Sequence, residues 1–246
     1  MFSSVPGPIG IFDSGYGGLT IFDKIRAAMP GYDYIYLGDN ARSPYGTRSF
    51  EVVYRFTKQA VETLFNEGCQ LVILACNTAS AKALRTIQQR DLPQWDPARR
   101  VLGVIRPTVE LMDKISKSKH VGILGTTGTI TSDSYSLEIK KMFPHMTVTG
   151  EACPMWVPLV ENNEFDSPGA DYFVRKHLEH ILAADPEIDT LVLGCTHYPL
   201  LKKMIGDFMG GDVHLVDSGK VTAQATAAAL ADLGLLNGKT DGGTAH

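Results

Sequence analysis

The sequence predicts an α/β protein built as two similar domains, each a mainly parallel sheet flanked by helices. Three observations predict it. Short apolar, β-rich runs alternate with longer segments of helical periodicity, the order expected of parallel sheets covered on both faces. The chain also repeats itself: IGIFDSG from Ile9 and VGILGTTG from Val121 each read as a buried strand entering a Gly/Ser/Thr turn before a helix. Finally, LVILACNTAS (Leu71–Ser80) and LVLGCTHYPL (Leu191–Leu200) each carry a strand into a cysteine. Gly10 and Gly122 stand 112 residues apart, and Cys76 and Cys195 stand 119 apart, so the offsets of the two halves nearly match.

The expected strands, in order, are Pro8–Phe12, Tyr32–Gly38, Leu71–Cys76, Arg100–Ile105, His120–Gly125, Met146–Glu151, Thr190–Cys195 and Val213–Asp217. Each is a run of branched or aromatic residues of strand length, bounded by Gly, Pro, Asp or Asn. Between them, Ser49–Gly68 carries apolar residues at three- and four-residue steps and stops at a glycine, as an amphipathic helix does. Ala79–Arg90, Ser132–Phe143, Ala170–Asp185 and Lys220–Gly234 read as further helices, and LLKKMIGDF follows Pro199 as another. The polar, Gly-rich end NGKTDGGTAH is expected to fray.

The chain has 246 residues, enough for one large or two modest domains with a real core. With 44% hydrophobic and 20% charged residues it has an ordinary globular balance. The net charge is -4 with no basic block, so nothing marks a nucleic-acid partner or an anionic membrane surface. No signal peptide is read at the N-terminus and no apolar run is long enough to span a bilayer. Four cysteines without a CxxC pair make no disulfide framework, and a cytoplasmic location with reduced thiols is the expectation.

The two strand-end cysteines carry the chemistry. In open α/β sheets, ligands bind beyond the carboxyl ends of the strands. Asn77 and Thr78 after Cys76 are good helix caps, which places that thiol near a helix N-terminus, where a thiolate is favoured. Cys195 is followed by Thr196, His197 and Pro199 in a matching setting. A lone cysteine is more often a small buried hydrophobe; two in matched settings with flanking donors point to function. Two thiols at one pocket suit removal of a proton from one face of a carbon acid and its return on the other, one group ionised and the other protonated. Disulfide redox chemistry normally uses CxxC, and Cys76, Cys195 and His197 lack zinc-ligand spacing. No metal and no cofactor is expected.

Asp13 ends the first strand and could tune a thiol or contact an ammonium; equally, it could cap its own Gly-rich turn. Gly15, Gly17 and Gly18 match neither dinucleotide nor P-loop patterns and read as a tight turn where backbone approaches a small anion. Ser43-Pro44-Tyr45-Gly46 and the loop holding Thr126, Thr127 and Thr129 offer hydroxyl and N–H donors suited to carboxylates, or are simply turns. Glu151 is a candidate second carboxylate and a possible partner for His197, although a surface role is common for Glu. Cys69 and Cys153 read as structural.

Together these residues closely resemble the glutamate-racemase branch of the aspartate/glutamate racemase superfamily. The resemblance runs from Ile9 to about Leu235 and rests on FDSGYGGL, SPYG, LACNTASA, LGTTGTI, ACPMWVPLVE and LGCTHYPLL. It implies two domains with the active site in the cleft between them, residues 1–100 plus 217–246 forming the first and 101–216 the second. It implies a cofactor-independent 1,1-proton transfer between L- and D-glutamate, with Cys76 taking the proton from D-glutamate and Cys195 from L-glutamate. Asp13 and His197 would assist their thiols and Glu151 would be a further acidic helper. Asp13, Ser14, Pro44, Tyr45, Gly46, Asn77, Thr78, Thr196 and His197 would hold the substrate, with hydroxyl contacts from Thr126, Thr127 and Thr129. D-Glutamate for peptidoglycan, a bacterial cytoplasm and a homodimer are further implications. An aspartate or other amino-acid racemase of the same superfamily and a non-catalytic small-anion binding module are the alternatives. One departure is GVIRPTVEL (Gly103–Leu111), where the resemblance leads one to expect an acidic residue at Arg106 and Gly at Thr108, in the region implied to be the hinge.

Overall fold

The computed structural model describes residues 7–211 and 213–232. The frayed end expected from Asn237 on, and the last residues of the expected Lys220–Gly234 helix, lie outside them. In chain order the elements are β1 (Ile9–Asp13), α1 (Leu19–Ala28), β2 (Tyr34–Gly38), α2 (Phe50–Asn66), β3 (Leu71–Leu74), α3 (Asn77–Lys82), α4 (Leu84–Thr86), a π turn (Ile87–Asp91), α5 (Leu92–Trp95) and β4 (Arg100–Gly103). There follow α6 (Ile105–Val109), α7 (Met112–Ile115), β5 (His120–Gly125), α8 (Thr127–Thr131), α9 (Ser134–Met142), β6 (Thr147–Ala152), α10 (Trp156–Glu161), α11 (Pro168–Ala184), β7 (Thr190–Gly194), α12 (Lys202–Met209), β8 (His214–Val216) and α13 (Gly219–Asp232). All eight expected strands are present, with ends shifted by at most two residues.

The chain forms two compact units: one runs to Val104 and resumes at Gly219, and the other spans Ile105–Ser218. The breaks differ from those expected at residues 100/101 and 216/217. All of β4 pairs with β3, from Leu71 opposite Arg100 to Leu74 opposite Gly103, so a break inside β4 would split a hydrogen-bonded ladder. Each unit holds one four-stranded parallel sheet, ordered β2-β1-β3-β4 in the first and β6-β5-β7-β8 in the second. The two orders are the same pattern, so the repeat read in the sequence is a repeat of topology. In each, the chain moves outward in opposite directions from β1 or β5, which makes the carboxyl edge between β1 and β3, or β5 and β7, the switch point where such sheets bind ligands.

Alternation along the strands builds the cores. Ile9, Ile11, Leu71 and Ile73 point to one face of the first sheet, against Ile21, Phe22 and Ile25 of α1 and Ala223 and Leu230 of α13. Phe12, Val72 and Leu74 point to the other, against Val53, Val61 and Leu64 of α2. Each such aliphatic side chain removed from water contributes ~1.5–3 kcal/mol. In the second unit Leu124, Leu191 and Leu193 pack on Val174, Leu178 and Ile181 of α11 and Ile205 of α12. Ser49 and Ser167 cap α2 and α11 by accepting the amides of Val52 and Ala170.

The single helix expected over Ala79–Arg90 is instead a broken run from Asn77 to Trp95, with the π turn over Ile87–Asp91. Pro93 has no N–H for the ladder, and the widened turn ends two residues before it. Among the described residues no helix is long and apolar enough to cross a membrane.

Candidate active site

The first unit gathers its candidate residues at the ends of β1 and β3. These strands are paired from Ile9 opposite Leu71 to Phe12 opposite Leu74, so Asp13 and Cys76 lie at neighbouring strand ends. Asp13 is fully buried and accepts the Gly15 amide on Oδ2 at 3.0 Å, closing a turn. The glycines after it serve that carboxylate: a Cβ on Gly18 would stand 2.6 Å from the Asp13 Cβ, so only glycine lets the start of α1 pass so close. Cys76 is the N-cap of α3, its Sγ accepting the Ala79 amide at 3.4 Å and lying 3.4 Å from the Ser14 hydroxyl. Asn77, Thr78 and Ser14 are buried around it.

The sequence suggested that this helix start would favour the thiolate; the structure provides the Ala79 amide for that and sets burial against it. Burial pushes the Cys76 thiol up to about 11, and the nearby Asp13 carboxylate adds to the rise. Hydrogen bonds from Ser14 and Ala79 pull the other way and do not offset it. Burial thus opposes ionisation of Cys76, while donors that would stabilise its thiolate are already in place.

At the end of β2, Asp39 is buried and takes Arg42 Nε at 2.6 Å and the hydroxyl of Tyr45. The Tyr45 ring is core, packed on Phe12 and Phe56. Pro44 is exposed and Gly46 partly buried in the same loop. Tyr36 donates to the Gly15 carbonyl at 2.8 Å, tying β2 to the Asp13 turn.

The second unit repeats the placement with other chemistry. Cys195 and Thr126 follow the paired strands β7 and β5. Thr126 caps α8, accepting the Thr129 amide at 3.2 Å, and its hydroxyl meets that of Thr129 at 3.1 Å. Thr127 is exposed at the first turn. His197 Nδ1 lies 3.7 Å from Cys195 Sγ and 3.5 Å from the Thr196 hydroxyl. Its Nε2 lies 3.2 Å from Glu161 Oε1. The result is a thiol–imidazole–carboxylate line in which Glu161 orients the ring that faces Cys195.

Glu151, expected beside His197, is not there. It lies on β6 with its carboxylate turned to α11, where His177 Nδ1 approaches Oε1 at 2.6 Å and His180 Nδ1 at 3.5 Å. Strand alternation decides this: Thr149 and Glu151 share the face that α11 covers, and Thr149 reaches Asp185 at the end of α11. The carboxylate that His197 meets is the last residue of WVPLVE, a Glu that the motif already contained. Asp39 was also missed, although it directly follows β2 much as Asp13 ends β1.

Cys69, Cys76, Cys153 and Cys195 are all buried and none is in a disulfide. Burial pushes the Cys69 thiol up to about 12 and raises that of Cys153 well above the ordinary range. Thr108 is fully buried and hydrogen-bonds Tyr135, while Arg106 makes an exposed ion pair with Glu110.

With these two cysteine settings in view, comparison with known proteins is decisive. The sequence model described as Asp/Glu/Hydantoin racemase matches residues 16–226. The chain belongs to the Asp/Glu/Hydantoin racemase family. Within that family it is 44% identical to the glutamate racemase of Geobacter metallireducens over 97% of this chain and 85% of the relative. The solved glutamate racemase isoform RacE1 of Bacillus anthracis is similar with a TM-score of 0.89 and 35% identity, covering 97% of this chain and 86% of that one. The Francisella tularensis glutamate racemase, solved in complex with D-glutamate, is similar with a TM-score of 0.87 and 34% identity over the same shares. The doubled parallel-sheet architecture is thus a racemase architecture.

Proposed function

We propose that this protein interconverts L- and D-glutamate by transferring the α-proton between two thiols, without a cofactor. The observation that carries the reading is the matched pair of buried cysteines, each following the third strand of a like-ordered sheet, in a chain of the racemase family. The similarity to glutamate racemases supports glutamate as substrate.

In the L-to-D direction Cys195, as thiolate, takes the α-proton, and the Cys76 thiol returns a proton to the opposite face of the carbanion. Cys195 ends protonated and Cys76 ends as thiolate; the reverse direction exchanges the roles. A Cys76 thiol pushed up to about 11 holds its proton until the carbanion needs it. His197 assists ionisation of Cys195, with Glu161 as its orienting group; the 3.7 Å from Nδ1 to Cys195 Sγ and 3.2 Å from Nε2 to Glu161 support this reading. Asp13, Ser14, Asn77, Thr78 and Thr196, with the Pro44-Tyr45-Gly46 and Thr126-Thr127-Thr129 loops, are the proposed contacts for the substrate's ammonium and carboxylates. A cytoplasmic homodimer supplying D-glutamate for peptidoglycan completes the proposal.

The test is proton NMR of the purified protein in heavy water with each enantiomer of glutamate and aspartate and no added cofactor. Loss of the α-proton signal from both glutamates alone is the expected result. Exchange confined to aspartate would overturn the substrate, and no exchange would overturn catalysis itself.

A further inference from the structure

We infer that Glu151, His177 and His180 form a binding site for a divalent ion of the Zn²⁺ type at the sheet edge of the second unit, independent of the cysteine chemistry. The three side chains come from two elements. Glu151 is on the edge strand β6, and the histidines are one turn apart on α11, which covers that strand. One potential ligand atom from each lies within 4.8 Å of the others.

The distances suit an ion of this size. Zinc takes imidazole nitrogen and carboxylate oxygen at about 2.0–2.2 Å, so tetrahedral neighbours stand roughly 3.3–3.5 Å apart. His180 Nδ1 and Glu151 Oε1 are 3.5 Å apart, already at that spacing. His177 Nδ1 and Glu151 Oε1, at 2.6 Å, are in direct hydrogen bond, which a bound ion replaces by opening the pair by less than about 1 Å.

The chemistry of the set is selective. Two imidazoles and one carboxylate are borderline ligands that favour Zn²⁺, Co²⁺ or Ni²⁺ over Mg²⁺ or Ca²⁺, which prefer all-oxygen sites. Among the described residues the ion-pair partners of Glu151 are these two histidines, with no Lys or Arg in competition. The edge of the Trp156 indole stands against the His177 ring and walls one side. His180, with 58% of its side chain exposed, opens the other side to solvent and gives the ion a path in. Three protein ligands leave a fourth position for water. The bound ion would clip the edge strand to its covering helix.

The test titrates the full-length, metal-free protein with Zn²⁺ by calorimetry and with Co²⁺ by absorption spectroscopy. The expected result is one ion per chain, cobalt bands without the intense near-ultraviolet band of thiolate ligation, and a raised melting temperature with Zn²⁺. His180→Ala, at an exposed position, should weaken binding at least about tenfold and abolish the thermal shift, as should Glu151→Gln, which keeps a hydrogen-bonding partner for His177. A thiolate band, binding unchanged in His180→Ala, or no binding at all would each overturn the site.

Discussion

The two halves place a cysteine at the same point of the same strand order and then surround it differently. Cys76 follows β3 beside Asp13, with Ser14 and the Ala79 amide as its near donors. Cys195 follows β7 beside His197, which Glu161 orients. One thiol is thus paired with an anion that helps it keep its proton, and the other with an imidazole that can accept or share one. The repeated strand order supplies two equivalent positions. Their local surroundings are chemically unlike, which is what an acid/base pair working in opposite states needs.

The sharpest way to break this comparison is to remove the thiols one at a time. Cys76→Ser and Cys195→Ser should each lower racemisation ~10²–10⁴-fold. They should differ in what survives: Cys76→Ser should retain α-proton exchange with L-glutamate, and Cys195→Ser with D-glutamate, followed by NMR in heavy water. The same residual exchange in both variants would mean the thiols are not specialised.

Packing gives the next contrast. A Cβ on Gly122 would stand 2.5 Å from Leu191 Cδ2 and 2.9 Å from Ile181 Cδ1, whereas one on the equivalent Gly10 would stand 3.1 Å from Cys69 Sγ. Gly122→Ala should therefore cost ~1–3 kcal/mol by overpacking, and Gly10→Ala less, in chemical denaturation. A larger cost at Gly10 would reverse the order.

His197→Asn should slow exchange from L-glutamate more than from D-glutamate by roughly tenfold, about 1.4 kcal/mol, with Glu161→Gln shifting the same ratio less. Equal slowing of both would detach the imidazole from Cys195.

The smallest effect is on titration. Because the Cys76 thiol is pushed up to about 11, its alkylation in a Cys195→Ser background should keep accelerating as pH rises toward 11. Asp13 contributes to that rise, so Asp13→Asn should move the curve to lower pH, yet leave it above an ordinary thiol because burial is the larger cause. A curve unmoved by Asp13→Asn would remove the carboxylate from the account.

Much of this was readable without coordinates because strand signals are local. A run such as Leu71–Leu74 or Thr190–Gly194 is legible from its own residues, and so is the cysteine that follows it. Helix limits were less so: the π turn over Ile87–Asp91 has only Pro93 to announce it. Glu161 was present in a motif already noted, but Glu151, ending its strand, looked the better candidate until α11 was seen to cover its face.

By itself, then, the sequence determined the eight strands, the doubled order and the two cysteines at strand ends, all properties of short contiguous segments. Only the tertiary structure decided which carboxylate meets which histidine, and how strongly burial opposes ionisation of Cys76. Those depend on groups distant along the chain: Ser14 is 62 residues from Cys76, and Glu151 is 26 from His177. An ionisation state sums desolvation and charge over everything folded around the group, and no local pattern contains that sum.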